Sequence, residues 1–386
     1  MTKPRWFNRR EFLRSAGLTA LAARAGVPWA STSLNPLERQ GAESPSQFAF
    51  VGAMGATPGI HVYAVRSEPW RLQQFVASRA PVALAKHPTG PWLYVLNEIG
   101  EYNGLPSGSI ESYQIDPLTG RLVLLGRYPL SLSAVMPRHL AMAPDGKKLI
   151  VSVHGGGMYN VLPILEDGQL ARVRDIFKET GSGARPGQER AHPQAVIFDS
   201  IGRAIAADLG CDRLTVFALE DGFRVQARHE MPAGSGPTHL ALHPAGHLLY
   251  AAHGLDGALS GFAYDPRVGS ISRRVFEVPE EYAKALTIHP SGDFLFSARR
   301  DAVTAWRIET GTGALRKLSE RPVAIDNASA EPPMPVRSLA PSASGHSLIV
   351  LSGEGLQRMS FDSTRGSLGA PELATSLSDA QSLAMV

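Results

Sequence analysis

Apolar and polar positions along this chain follow one pattern that recurs over most of its length. In Gly234–Pro266, GSGPTHLALHPAGHLLYAAHGLDGALSGFAYDP, a short apolar strand is predicted at Leu240–His243, and a tight turn follows at Pro244–Gly246. A second strand, HLLYAA, and a loop at Gly254–Gly257 lead to a third strand, ALSGFAYD, in which apolar and polar residues alternate. The pattern therefore predicts β-structure made of strands in quick succession.

The same phrase stands in register at six places. Its turn glycines are 44 to 56 residues apart, close to the period of about 40–50 residues that four-stranded propeller blades show. These glycines are Gly90, Gly146, Gly202, Gly246, Gly292 and Gly345.

A second phrase, an apolar strand followed by a polar turn and a Gly-x-Leu-like restart, occurs seven times. Its copies begin at Ile60, Ile110, Asn160, Leu214, Leu259, Val303 and Gln357. The second count predicts seven blades.

The two ends of the chain account for the missing seventh copy of the first phrase. Ser382–Val386, SLAMV, matches HLAMA at His139 but lacks its continuation, and that continuation is FAFVGAM at Phe48–Met54. Pairing the two segments in one blade would remove a free sheet edge. The sequence therefore predicts an all-β fold over residues 48–386, a seven-bladed β-propeller closed by pairing of N- and C-terminal strands.

The first 47 residues do not share the repeat. Arg9 and Arg10 precede Phe12 and Leu13, and a short apolar stretch reaches Ala30. This is typical of a twin-arginine export signal over residues 1–30, with an uncleaved amphipathic helix as the alternative. Residues 31–47 are polar and predicted to be a linker. We therefore expect a periplasmic or secreted protein that uses the twin-arginine export machinery.

Composition and charge exclude some classes of binding partner. The net charge is only +3, and no basic stripe interleaved with aromatic residues is present, so nucleic acid is not expected as a partner. No apolar run reaches the ~18 residues that a membrane span requires. Cys211 is the single cysteine, which excludes an internal disulfide. We expect a monomer that spans no membrane.

Three long insertions interrupt the repeat at Glu98–Ser109, Gly181–Ala191 and Asp326–Pro335. Their places between predicted strands put all three on one face of the ring, where repeat proteins usually bind. The same geometry collects polar residues at that mouth of the channel, before each first strand and after each second strand. Those predicted to bind a small anionic or lactone-like ligand are Arg138, His139, His192, Gln194, His239 and Arg337.

Three histidines belong to the opposite face. His87, His243 and His289 each precede a proline in the tight turns. Turn imidazoles commonly bond nearby backbone, so these three are predicted to be structural.

The blade phrases resemble a known family. ADLGCDR (Ala207–Arg213), GSGPTH (Gly234–His239) and the HP-x-G turns resemble the seven-bladed lactonase family of bacterial 6-phosphogluconolactonases and carboxymuconate cyclases, over about residues 48–386. The resemblance implies a site built from the last histidine of an HPH motif, the arginine of GPRH, the glutamate of NE and the arginine of NR. The first three become Gln194, Thr238 and Gly254 here, and only the NR arginine is matched, by Arg300.

These substitutions matter for lactone opening. The reaction needs a group that accepts a proton and a donor or cation that stabilises the oxyanion, and neither Gln194 nor Thr238 provides what the family residue would. Compensating groups are available elsewhere on the predicted mouth, as histidines that titrate near neutrality, a second NE glutamate and arginines. The predicted catalytic set is Arg300, His253, His154 and Glu98.

Three functions stay open at this stage. The first is hydrolysis of a sugar lactone, of the 6-phosphogluconolactonase type. The second is a non-catalytic propeller that binds a sugar acid, another small anionic ligand or a protein partner, which the three substitutions favour. The third is metal-dependent hydrolysis, with ligands drawn from His139, His154, His192, His239, His253, Glu98 and Asp208. No short-range metal-ligand spacing supports the third, so neither a metal nor another cofactor is predicted.

Overall fold

The fold is described by a computed structural model. It covers residues 48–65, 69–279, 283–323, 336–352 and 355–386. The predicted signal, the linker and the insertion at Asp326–Pro335 lie outside the described residues. Over the described ranges all regular elements are strands, in seven antiparallel sheets.

The seven sheets are the blades of a propeller, and the sequence prediction of fold and blade number is confirmed. In chain order the strands are β1 (Phe48–Ala53), β2 (Gly59–Ala64), β3 (Arg71–Ala77), β4 (Pro81–Lys86), β5 (Trp92–Asn97), β6 (Ser109–Ile115), β7 (Leu122–Pro129), β8 (Pro137–Met142), β9 (Lys148–Val153), β10 (Met158–Pro163), β11 (Asp175–Lys178), β12 (Pro193–Phe198), β13 (Ala204–Asp208), β14 (Arg213–Ala218), β15 (Arg224–Glu230), β16 (Pro237–Leu242), β17 (Leu248–His253), β18 (Ala258–Asp265), β19 (Ser270–Pro279), β20 (Ala285–Ile288), β21 (Phe294–Ala298), β22 (Ala302–Ile308), β23 (Leu315–Pro322), β24 (Val336–Pro341), β25 (Ser347–Ser352), β26 (Gly355–Asp362), β27 (Ser367–Leu368), β28 (Glu372–Ser376) and β29 (Ala380–Met385).

In blades 2 to 7 the strands follow one another in chain order from the central channel outward. Blade 2 is β4-β5-β6-β7, and blades 3 to 6 repeat this arrangement with the next sixteen strands. In blade 7 the outermost strand is split into β27 and β28, both paired with β26. Pro371 lies between the two pieces, and it has no N–H to donate to a ladder.

Blade 1 closes the ring. Its order is β29-β1-β2-β3, so the last strand of the chain pairs with the first. Val51 stands opposite Leu383, and Phe48 and Val386 exchange both backbone hydrogen bonds, at 3.0 and 2.9 Å. The predicted closure is therefore confirmed, and β1 has no free edge.

Apolar side chains are packed between neighbouring blades. The second strand of each blade is covered on both faces and reads as a nearly continuous apolar run, whereas an outer strand such as β15 alternates exposed and half-buried residues. Between blades 4 and 5, for example, Leu214 and Val216 pack with Leu249 and Phe262. The apolar periodicity of the sequence thus builds the walls that hold the inner strands in place.

The HP-turn histidines join one blade to the next. His87 Nδ1 accepts a hydrogen bond from Gly90 N at 2.7 Å, and its Nε2 donates to the carbonyl oxygen of Gly146 in the following blade at 2.9 Å. His243 and His289 make the same inter-blade bond, at 2.9 and 3.1 Å. The local bonds agree with the prediction, and the bond to the next blade was not foreseen.

The imidazole of each HP turn lies very close to the turn glycine of the following blade. Gly146 has a φ of +68°, and a Cβ there would come within 2.5 Å of His87 Nε2. In blade 3, Ala143 occupies the histidine position, and the space beside the next turn glycine, Gly202, is open. A hollow of about 250 Å³ lies there between the two turns.

Candidate functional site

The innermost strands share a one-residue bulge. In β16 the pairing passes from Pro237 opposite His253 to His239 opposite Ala252, and Thr238 has no partner. The same skip occurs in β4, β8, β12, β24 and β29. A bulge re-aims the side chain of the extra residue. With Lys284, which holds the equivalent position just before β20, the bulged residues line the central cavity, one from each blade: Gln381, Val82, Arg138, Gln194, Thr238, Lys284 and Arg337.

A second ring lies one residue further along each strand. Its members are small or polar, and they are Ser382, Ala83, His139, Ala195, His239, Ala285 and Ser338. Leucines from most of the blades follow behind them. The cavity between these walls measures about 370 Å³, which is within the ~300–1,000 Å³ range of small-molecule sites.

The cavity is cationic. Arg138, Lys284 and Arg337 line it, and its described lining includes no carboxylate. Arg138 is paired with Glu98, whose oxygens lie 3.0 Å from Arg138 Nη1. Burial raises the pKa of Glu98, while Arg138 and Arg337 act in the opposite direction. Among the described lining residues the ionised groups are therefore cations, and Glu98 offsets part of their charge, an arrangement that suits an anionic ligand.

Two cavity histidines are uncharged at neutral pH. Burial lowers the pKa of His139 to about 4, and it lowers that of His239 to about 4 with further help from His139 and Lys284. The Val196 N–H donates to His139 Nδ1 at 3.4 Å, and His239 Nδ1 lies 3.0 Å from Thr238 Oγ1. Each of these two cavity-lining histidines is thus held through its Nδ1 atom.

A second imidazole pair stands beside the cavity, next to Gln194. His154 and His192 stack with ring centroids 4.3 Å apart. His154 Nδ1 lies 2.8 Å from Gln194 Nε2, and His192 Nδ1 lies 3.1 Å from the His154 carbonyl oxygen. Burial, His192 and nearby arginines, including Arg138, lower the pKa of His154 to about 4. The amide of Gln194 therefore connects this pair to the cavity wall.

None of the four residues of the predicted catalytic set lines the cavity. Glu98 and His154 bond to Arg138 and Gln194, which do line it, and the other two are placed differently. The His253 side chain is fully buried, and its Nδ1 lies 2.9 Å from Asp256 Oδ1. It ends a strand that is covered on both faces, and the loop after it folds back to hold the ring. Arg300 is exposed, its carbonyl accepts a hydrogen bond from Val336 N at 3.2 Å, and it does not line the cavity. The structure thus groups Glu98 and His154 around Arg138 and Gln194, without His253 or Arg300.

Some cavity residues were missed by reasoning from motifs. Lys284, Gln381 and Ser338 line the cavity but carry no family motif. Aligning AKALTIHP with PTHLALHP would have placed Lys284 in the column of Thr238. For the metal-dependent hypothesis, no three His, Cys, Asp or Glu side chains within the described ranges are arranged to hold a metal ion. In the same part of the chain, no helix has the length and apolarity needed to cross a membrane.

Comparisons with known proteins agree with this architecture. The family model "Lactonase, 7-bladed beta-propeller" matches residues 49–352. The 6-phosphogluconolactonase of Bacillus subtilis (strain 168) is 26% identical over 219 residues, which are 54% of this chain and 62% of that protein. The chain thus spans less than two thirds of that relative's length.

Solved structures match over more of the chain. The periplasmic gluconolactonase of Pseudomonas aeruginosa superposes with a TM-score of 0.78 at 25% identity, covering 88% of this chain and 98% of that one. A putative 6-phosphogluconolactonase from Bacteroides fragilis gives a TM-score of 0.77 at 20% identity, covering 89% and 98%. At that lower identity the likeness shows the fold alone.

Proposed function

This chain belongs to the lactonase family of seven-bladed β-propellers, and from that membership we propose that it hydrolyses a sugar lactone, as a 6-phosphogluconolactonase does, in the central cavity. The observation that carries the proposal is the inner ring of Arg138, Lys284 and Arg337 beside neutral imidazoles. Cations hold an acidic substituent, and neutral imidazoles can exchange protons with water or donate to an oxygen.

The roles divide between the two rings. The three cations would bind a phosphate or carboxylate of the lactone, and guanidinium groups suit this because they stay charged and present paired donors. Glu98 would hold Arg138 in place through the ion pair. Carbonyl polarisation and water activation would fall to polar groups of the second ring, which line the same cavity.

We also propose that the protein works in the periplasm. The paired Arg9 and Arg10 support export, as does the likeness to a periplasmic gluconolactonase.

Binding without turnover is the second candidate, and one observation favours it. Gln194 and Thr238 stand at cavity positions where the family resemblance implies a histidine and an arginine, and Gly254 stands where it implies a glutamate. A cavity that kept its three cations but lost its catalytic groups would bind a sugar acid reversibly.

The test is lactone hydrolysis by purified protein, followed as proton release in weak buffer with 6-phosphogluconolactone and unphosphorylated gluconolactone. Arg138→Ala should lower kcat/KM for the phosphorylated lactone by ~10-fold or more, because it removes a charge-assisted contact. Arg316→Ala is the matched control, since this exposed arginine pairs with Glu309 on the outer strands. Arg300→Ala shows whether the family arginine also contributes.

The outcomes separate the two candidates. Turnover above the spontaneous rate that falls in Arg138→Ala, and not in Arg316→Ala, supports the hydrolase. A background rate on every lactone, together with binding of 6-phosphogluconate in calorimetry, overturns the hydrolase and supports the binder. In that case the triple variant Gln194→His, Thr238→Arg, Gly254→Glu should gain activity if these substitutions caused its loss.

A further inference from the structure

The Thr238 hydroxyl lies between a backbone carbonyl and the histidine that follows it. Thr238 Oγ1 lies 3.3 Å from the Ala252 carbonyl oxygen and 3.0 Å from His239 Nδ1. A carbonyl only accepts, so both contacts are hydrogen bonds when the hydroxyl donates to Ala252 and its oxygen accepts from the ring. In that arrangement the neutral His239 ring carries its proton on Nδ1, and Nε2 keeps a lone pair.

The other cavity histidine, His139, has the opposite tautomer. The Val196 N–H donates to His139 Nδ1, so the proton of this neutral ring is on Nε2. Both rings line the cavity, and neither Nε2 has a hydrogen-bond partner among the described protein groups. The two lining residues thus leave one Nε2 lone pair on β16 and one Nε2–H on β8, two blades apart.

We propose that His239 is the general base of this site, that His139 is the hydrogen-bond donor to the carbonyl oxygen of the lactone, and that Thr238 is the positioning residue for His239. The inference rests on the proposed lactone hydrolysis. It gives a role to the threonine that replaces the family arginine: the substitution supplies the hydroxyl that orients the base.

One water molecule is enough to balance the protons of the proposed reaction. Water oxygen attacks the lactone carbonyl carbon while one of its protons passes to His239 Nε2, and the carbonyl π pair becomes an oxyanion bonded to His139 Nε2–H. When the intermediate collapses, the ring C–O bond breaks and the leaving alkoxide takes the proton back from His239 Nε2. The product is the open hydroxy acid, which ionises in neutral solution and releases one proton.

The charges around His239 suit a base that gains strength when ligand binds. In the protein without ligand, burial, His139 and Lys284 lower the pKa of His239 to about 4. The other titratable groups that line the cavity are Arg138 and Arg337. An anionic lactone neutralises part of this positive charge, so its binding raises the pKa of His239 toward neutrality. The acid limb of kcat should therefore lie at higher pH than the acid limb of kcat/KM.

The experiment compares His239→Gln, Thr238→Val and Thr238→Ser with the wild type on 6-phosphogluconolactone. His239→Gln should lose ~10²-fold or more in kcat, the usual range for a general base. Thr238→Val keeps the shape and loses the hydroxyl, so kcat should fall by ~3- to 10-fold, the worth of one hydrogen bond, with KM little changed. Thr238→Ser should restore kcat. Thr89→Val, in an exposed turn, is the matched control.

A second measurement reads the tautomer without turnover. The ¹⁵N shifts of histidine-labelled protein, with His239→Gln to assign the signal, should show His239 protonated on Nδ1 in the wild type and in Thr238→Ser. Thr238→Val should gain the Nε2–H form. An Nε2–H signal in the wild type overturns the positioning role of Thr238.

The kinetic outcomes keep the two proposals apart. If the wild type hydrolyses lactones and folded His239→Gln does so within threefold of it, the base assignment fails and the lactonase proposal stands. If the wild type hydrolyses no lactone, the lactonase proposal fails and the base role fails with it. In both cases the ¹⁵N spectrum still decides whether Thr238 sets the tautomer.

Discussion

Arg138 and Glu98 meet across the junction of blades 2 and 3, with Nη1 3.0 Å from the carboxylate. The partners are unequally exposed, 42% for the arginine side chain and 7% for the glutamate. Arg138 is the bulged residue of β8, and Glu98 follows the buried strand β5. The pair therefore ties the first cation of the cavity to a rigid strand while leaving part of its guanidinium open to a ligand.

Glu98→Gln should strengthen binding of an anionic ligand. The change removes the negative charge that offsets Arg138 and Arg337, so the affinity for 6-phosphogluconate should rise by roughly 3- to 10-fold, the scale of a partly screened charge contact. Calorimetry at two salt concentrations checks this, and the gain should shrink at high salt. Glu309→Gln is the control on the outer strands. A weaker affinity in Glu98→Gln would mean that the carboxylate itself helps to bind the ligand.

Folding stability should fall between pH 6.5 and pH 4 because of three half-buried imidazoles with lowered pKa values. The pKa values of His139, His154 and His239 are lowered from 6.5 to about 4 in the folded chain. The unfolded chain thus binds protons that the folded chain excludes. The free energy of unfolding should be complete above pH 6.5 and decline as the pH falls toward 4. Urea unfolding at four pH values measures the slope, and His139→Gln with His239→Gln should flatten it. An equal slope in that double variant contradicts the assignment.

Ala143→His should stabilise the propeller. The new imidazole would fill the hollow beside Gly202 and could make the inter-blade bond seen from His87 to Gly146. One such bond contributes about 1 kcal/mol, which corresponds to a rise in Tm of about 1–3 °C in a chain of this size. The converse variant, His87→Ala, should melt below the wild type. Equal melting of His87→Ala and wild type would show that the bond contributes nothing.

Deleting Gln381–Val386 should destabilise the whole ring. The deletion removes nearly all of β29, exposes the edge of β1 and takes Gln381 and Ser382 out of the cavity wall. We expect a loss of several kcal/mol and aggregation, because an unpaired apolar edge invites intermolecular pairing. Calorimetric melting and light scattering test this. A truncated protein that melts within a degree or two of the parent would mean that closure carries little stability.

Replacing Arg9 and Arg10 together by lysine should keep the full-length precursor in the cytoplasm, since the proposed twin-arginine signal depends on this pair. Fractionation and immunoblotting measure the distribution. The control is Arg24→Lys, which lies in the apolar stretch. Unchanged recovery of the double variant from the periplasm would refute export by this route.

The sequence by itself determined the architecture. The repeated turn glycines set the period, the seven Gly-x-Leu-like restarts set the blade count, and the match of SLAMV to HLAMA required the chain ends to pair. Such features are local, because apolar alternation and turn chemistry act within a few residues of the chain. The repeat reveals where each inner strand begins, and six polar residues were therefore placed at one mouth of the channel. All of them except His192 line the cavity, and they are Arg138, His139, Gln194, His239 and Arg337.

Tertiary structure decided which side chains enter the cavity. A shift of one residue in strand register turns a side chain to the other face, and the bulge after Pro237 makes that shift at Thr238. His253 was assigned to the mouth from its place at a strand end, yet the loop to Asp256 holds its ring in the interior. The pairing of Thr238 with His239 depends on the position of the Ala252 carbonyl in the next strand. Contacts of this kind arise only when strands are paired, so the linear pattern located the cavity and the fold determined its chemistry.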